Sequence, residues 1–133
     1  DTEVLLQQRD LFKYHSGGQW SNTCCGHPRP NEITQRAAER RLYEEMAMTV
    51  PLIPLGTYAY EALVTERLWE KEITHIFMGW CENNSFKMNP QEVMDFKWLP
   101  LLEVETWLAT APEDFTPWFQ GVWDHFMKKK TFK

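Results

Sequence analysis

The sequence predicts a single α+β domain, and three observations carry that prediction. The chain has 133 residues, room for one packed core and not for two ordinary ones. Short apolar runs at 3–9, 62–64, 73–78 and 93–99 have the length and composition of strands. The stretches 31–47 and 116–130 instead repeat apolar residues every four positions, as a helix with one buried face requires.

Taken in order, Val4, Leu5 and Leu6 give a short buried strand over 3–9, which enters a polar, Gly-containing run through Lys13, His15, Gly17 and Gly18. Because the chain opens directly on this strand, a preceding element is expected upstream. Residues 20–30 read as irregular. From Asn31 to Ala47, Ala38, Leu42 and Met46 form an apolar stripe, and Glu44 and Glu45 are expected on the exposed side. Pro51 and Pro54 end this region and lead to Tyr58-Ala59-Tyr60. Ala62-Leu63-Val64 and Ile73–Met78 then form a hairpin-like pair of strands.

Asn83-Asn84-Ser85 and Asn89-Pro90 mark turns before a strand at Val93–Leu99, and Leu101–Ala109 reads as a helix. Thr116 reads as an N-cap with Pro117 in the first helical position, followed by a Trp118, Val122, Phe126 stripe. Lys128-Lys129-Lys130 suits the negative end of that last helix.

Composition narrows the function. Lys and Arg number 14 against 19 Asp and Glu, a formal charge of −5 that argues against an extended nucleic-acid or anionic-lipid surface. Any anionic ligand therefore needs local cations. The apolar stretch from Met48 to Leu55 is too short to cross a bilayer. Three cysteines, two of them neighbours, argue against a disulfide framework. The expectation is a cytoplasmic protein with reduced thiols, a monomer or weak dimer.

Three motifs carry chemistry. From Gly26 the spacing runs to Glu32, Arg40, Leu42, Glu44, Glu45 and Met48. Its paired carboxylates could hold magnesium, a hard cation that takes oxygen ligands and bridges diphosphates. Arg41 and Glu45 also fit an ordinary i, i+4 ion pair. Ahead of that lies Ser21-Asn22-Thr23-Cys24-Cys25-Gly26-His27-Pro28. In an extended segment Cys25 and His27 project to one side and Cys24 to the other, although a free cysteine is as readily a small buried hydrophobe. The third motif, Trp69-Glu70-Lys71-Glu72, sets two carboxylates on one face of a strand, where they repel unless a cation or shared proton intervenes. A solvated acidic strand end reads equally well.

The first motif resembles the Nudix box, with Arg41 where the family has Glu and Ala47 where it has Gly. The second resembles the hallmark of the type I isopentenyl-diphosphate isomerases, and the resemblance covers residues 3–126, including Tyr58-Ala59-Tyr60, Glu92–Trp98 and Phe115–Phe119. It implies a Nudix-type mixed sheet sandwiched between helices across one domain, 1–133. It further implies Cys25 as the catalytic thiol, with Glu72, Tyr60 and Trp118 in the active site. His27, Glu70 and Glu72 would ligate manganese, magnesium or zinc, beside two histidines expected upstream of this chain.

The reaction so implied moves a double bond reversibly between isopentenyl and dimethylallyl diphosphate through a tertiary carbocation. Cys25 and Glu72 would serve as acid and base on opposite walls. Trp118 would face the cation, and Tyr60 would orient Glu72 or relay its proton. Either aromatic also fits core packing. Arg9, Lys13 and Arg41, with magnesium on Glu45, form a candidate clamp for a small diphosphate substrate. A Nudix hydrolase of nucleoside diphosphate derivatives and an inactive binding module are the competing readings.

Overall fold

A computed structural model describes residues 2–12, 16–63, 69–81 and 86–129. Its elements run β1 (Glu3–Arg9), β2 (Trp20–Ser21), α1 (Thr34–Met46), β3 (Ile53–Leu63), β4 (Trp69–Met78), β5 (Val93–Pro100), α2 (Leu101–Thr110) and α3 (Phe119–Lys129), with a 3-10 turn at Pro112–Asp114 before α3. This is the α+β arrangement read from the sequence. β2, β1 and β5 form one sheet with β1 central, and β3 and β4 form a second. Every ladder is antiparallel, and a parallel bridge joins Trp20 to Phe115.

β1 shows why this sequence makes layers. Successive side chains on a strand face opposite ways. Leu5 enters a cluster with Leu42, Met46, Met48 and Val93, whereas Leu6 enters one with Val104, Leu108, Phe119 and Trp123. The strand therefore has α1 on one face and α2 with α3 on the other. A third cluster gathers Leu55, Tyr60, Ile76, Trp118 and Val122 between the second sheet and α3. Helix α3 can approach that sheet closely because residue 121 is glycine: a Cβ there would lie 2.2 Å from the Tyr58 ring.

Several boundaries differ from the sequence reading, each for an identifiable reason. β3 starts at Ile53, so Pro54 and Tyr58–Tyr60 belong to the strand rather than to a lead-in. A two-stranded sheet has only edges, where a residue without an N–H is tolerated, and the register shifts between Pro54 and Gly56. α3 starts at Phe119, and the Thr116 hydroxyl donates to Ser21 instead of capping the helix. α1 ends on Ala47 at φ 53°, a left-handed position that favours glycine, which accounts for glycine being the family pattern there. Lys13, His15, Val64, the turn at 83–85 and Lys130 lie outside the described residues. No helix among the described residues is long and apolar enough to cross a membrane.

Candidate active site

A cavity of about 1060 Å³ opens between the two sheets and α1. Cys25, His27, Arg9, Arg41, Tyr60, Glu72 and Trp118 all line it. Seven of the ten residues singled out in the sequence thus meet on one surface, although they come from six separate stretches of chain.

The segment between β2 and α1 sets the thiol. Cys24 packs into the cluster around Leu5 and Leu42, whereas Cys25 packs against that of Tyr60 and Trp118. The two cysteines face opposite ways, as extended backbone requires, and both are free thiols. The Cys25 sulfur lies 3.3 Å from Ser21 Oγ and 3.4 Å from Asn22 Oδ1, to which its S–H can donate. Burial pushes the Cys25 thiol up, and the Glu45 carboxylate adds to this against the opposing pull of Arg9. The sulfur therefore stays protonated at neutral pH.

Around it sits an aromatic wall. Trp118 Nε1–H donates to Ser21 Oγ at 3.0 Å. The Tyr60 ring centroid lies 6.2 Å from that of Trp118, and the Arg9 guanidinium lies 5.2 Å over the Trp118 ring. Tyr60 pairs in register with Glu72 across the β3–β4 ladder, so the aromatic and the carboxylate enter together.

His27 Nε2 and Glu72 Oε1 are 2.7 Å apart. That is hydrogen-bond distance, and imidazole nitrogen and carboxylate oxygen are donor types that a divalent metal accepts. The Glu70 side chain lies outside the described residues, and among those described no group of three potential ligands converges.

The charged side of the site corrects the sequence reading. Glu45 was expected on the exposed face of α1, yet it is 2% exposed. Its face packs on β1, where Gln7 Nε2 donates to it at 2.8 Å, and the Cys25 backbone N–H donates at 3.3 Å. Arg41 bonds Glu45 and also reaches Glu44 Oε1 at 2.6 Å and Glu92 Oε1 at 2.9 Å. Both Glu45 oxygens thus accept hydrogen bonds, Oε1 from Gln7 and the Cys25 N–H and Oε2 from Arg41. Residue 26 is glycine because a Cβ would come within 2.6 Å of the Arg41 side chain, which three carboxylates hold in place.

Next to it Arg40 bonds Glu32 and Glu44. Arg40 holds the Glu32 carboxyl down to about 2, and the Arg41 hydrogen bond lowers Glu44. Lys13, the remaining candidate cation, lies outside the described residues.

Sequence reasoning missed Gln7, Ser21 and Asn22. Gln7 had a signal, since it shares the strand face of Leu5, and a polar group on a buried face is forced to find partners. Ser21 and Asn22 had none beyond their place in the motif.

A NUDIX domain model matches residues 1–119. The protein of Pectobacterium atrosepticum named Isopentenyl-diphosphate Delta-isomerase is 44% identical over 118 residues, covering 89% of this chain and 65% of that protein. Isopentenyl-diphosphate Delta-isomerase 2 of Photorhabdus laumondii is 41% identical over 119 residues, covering 90% and 67% respectively. The chain thus spans about two thirds of the length of these curated relatives. Among solved structures, a MutT protein from Methanosarcina mazei superposes with a TM-score of 0.75 at 22% identity, over 96% of this chain and 85% of that one. The NUDIX domain of Shewanella oneidensis NrtR follows at 0.72 and 20%, over 96% and 77%. These last two bear on the fold alone.

Proposed function

This chain belongs to the Nudix family, and from that premise we propose that it is the core of an isopentenyl-diphosphate isomerase. The observation that carries the reading is the meeting of Cys25, Tyr60, Glu72 and Trp118 on one cavity surface. A Nudix hydrolase does not require a buried thiol beside an indole, and Arg41 stands where the hydrolase box carries a glutamate.

The reaction needs one group to give a proton to the terminal carbon of the double bond, leaving a tertiary cation, and another to remove a proton from the carbon on the other side of that cationic centre. Cys25 and Glu72 take these roles, and the direction of turnover decides which gives and which takes. Between the two steps the substrate carries positive charge on a tertiary carbon. Trp118 and Tyr60 present ring faces to that charge without a nucleophile that could bond to it, and the cluster of Leu55, Ile76 and Val122 keeps water away. Desolvated, such a ring contributes about 2 kcal/mol.

Arg9, Arg41 and Lys13 bind the diphosphate, and the two arginines' guanidinium forks match its paired oxygens. His27, Glu72 and Glu70 would hold a divalent metal, manganese, magnesium or zinc. When bound, that metal keeps the Glu72 carboxylate oriented and its charge compensated.

The test is incubation with isopentenyl diphosphate and with a nucleoside diphosphate sugar, each with magnesium and manganese. Formation of dimethylallyl diphosphate without phosphate release is the expected result. Nucleotide hydrolysis without double-bond movement would overturn the proposal.

A further inference from the structure

We propose that Ser21 is a positioning residue that sets which way the Trp118 indole lies in the cavity. This rests on the reading of Trp118 as the ring that faces the cation. Ser21 is 0% exposed at the end of β2, and its hydroxyl joins two segments, 22–25 and 116–118.

A hydroxyl has one hydrogen and two acceptor lone pairs. Thr116 Oγ1 donates to Ser21 Oγ at 3.1 Å and Trp118 Nε1 donates at 3.0 Å, which fills both lone pairs. The Ser21 hydrogen goes to Asn22 Oδ1 at 2.8 Å. The Asn22 amide cannot turn without losing its own bond, because Nδ2 donates to the Cys24 carbonyl at 2.8 Å. The Ser21 oxygen is therefore a fixed point, and the Cys25 sulfur lies 3.3 Å from it. Thiol and indole are both referenced to one atom.

Packing alone would not orient that ring. Trp118 is buried among apolar side chains, and apolar burial is non-directional, so an indole turned over about its χ2 torsion could fill similar space. The N–H breaks this symmetry, since turning the ring over would leave a buried donor without its acceptor. The bond is not generic in this protein: the indole nitrogens of Trp98 and Trp123 are buried without an acceptor.

Ser21→Ala, Ser21→Thr, Trp118→Phe and the Ser21→Ala/Trp118→Phe double variant test the proposal by two readouts. The first is the indole N–H signal in nitrogen–proton correlation spectra; the chain has 7 tryptophans, and the peak lost in Trp118→Phe identifies the residue. The second is steady-state isomerisation. In Ser21→Ala the Trp118 indole proton should move upfield, and kcat should fall about tenfold while KM changes by less than about twofold. Ser21→Thr should restore both. On the Trp118→Phe background, Ser21→Ala should cost no further kcat, because a phenyl ring has no N–H to lose.

An unmoved indole signal, or an equal kcat loss in both backgrounds, would overturn the proposal. Should Ser21→Ala fail to fold, the unsubstituted protein decides: its Trp118 indole proton should resonate downfield of those of Trp98 and Trp123, and the absence of that separation would count against the bond. Absence of isomerisation in the unsubstituted protein would overturn the functional reading, while the indole signal still decides the geometry.

Discussion

The two ends of the cavity are held by different forces. At one end Cys25, Tyr60 and Trp118 sit among apolar side chains, the thiol and the indole N–H meet at the neutral Ser21 hydroxyl, and the single Arg9 guanidinium lies over the Trp118 ring. At the other, Arg40, Arg41, Glu32, Glu44, Glu45 and Glu92 form a continuous ion-pair network. Neutral hydrogen bonds and ring faces have fixed geometry and nothing to exchange with an incoming anion. Guanidinium groups shared among several carboxylates can trade one partner for a phosphate oxygen. The contrast gives a substrate its direction, with hydrocarbon at the first end and diphosphate at the second.

The sharpest way to break this contrast is Cys25→Ala. Removing the thiol should lower isomerisation by about 10³-fold or more, within the range for losing a general acid–base group. Thermal unfolding should move little, because the substitution removes one sulfur atom from a residue that is not fully enclosed. Near-normal turnover would remove the neutral end from the chemistry.

Arg41→Met attacks the opposite end. Glu45 would keep Gln7 and the Cys25 N–H but lose its counter-charge, and stranding a buried carboxylate costs about 3 kcal/mol. Urea unfolding should show this loss and show most of it recovered in Arg41→Met/Glu45→Gln. A variant as stable as the parent would mean that the network is not under strain from burial. Substrate KM should rise in both variants, because the clamp is lost in both.

Trp118→Phe comes next. A phenyl face remains, so kcat should fall by about tenfold, whereas Trp118→Ala should fall further by the full ring contribution. Equal activity in all three proteins would leave Trp118 as a core residue only.

What was legible in the sequence follows the same division. The neutral end could be read from local patterns: the Trp118, Val122, Phe126 stripe and the opposite facing of Cys24 and Cys25 both follow from the periods of helix and strand. The charged end could be read only in part: the Arg41–Glu45 ion pair follows from its i, i+4 spacing, but its burial does not. Glu45 looks solvent-facing because helix periodicity counts apolar residues, and its burial depends on Gln7, 38 positions away, and on the adjacent Arg41. Thr116 looks like a cap because caps are local, but its hydroxyl finds Ser21 across 95 positions. Pro54 reads as a breaker unless it is known that its strand has a free edge. In each case the deciding partner is remote in sequence, and no residue pattern within a window contains it.

Titration separates the two ends in a single experiment and carries the smallest expected effect. Glu32 is held at about 2 and Glu44 is also lowered, each by arginine hydrogen bonds. A carboxyl lowered by folding contributes stability that is present above its ordinary value of 4.5 and is lost as pH falls toward 2. Cys24 and Cys25 are raised above 9.0 by burial first and Glu45 second. For these groups stability is intact below 9.0 and is lost as pH climbs toward the folded-state value, because the unfolded chain releases its protons first. The unfolding temperature should therefore fall on both sides of neutrality. Glu32→Gln should flatten only the acid limb and Cys24→Ala only the alkaline one. If either substitution altered both limbs, the two ends would be coupled, and the division of the cavity into a neutral and a charged half would have to be abandoned.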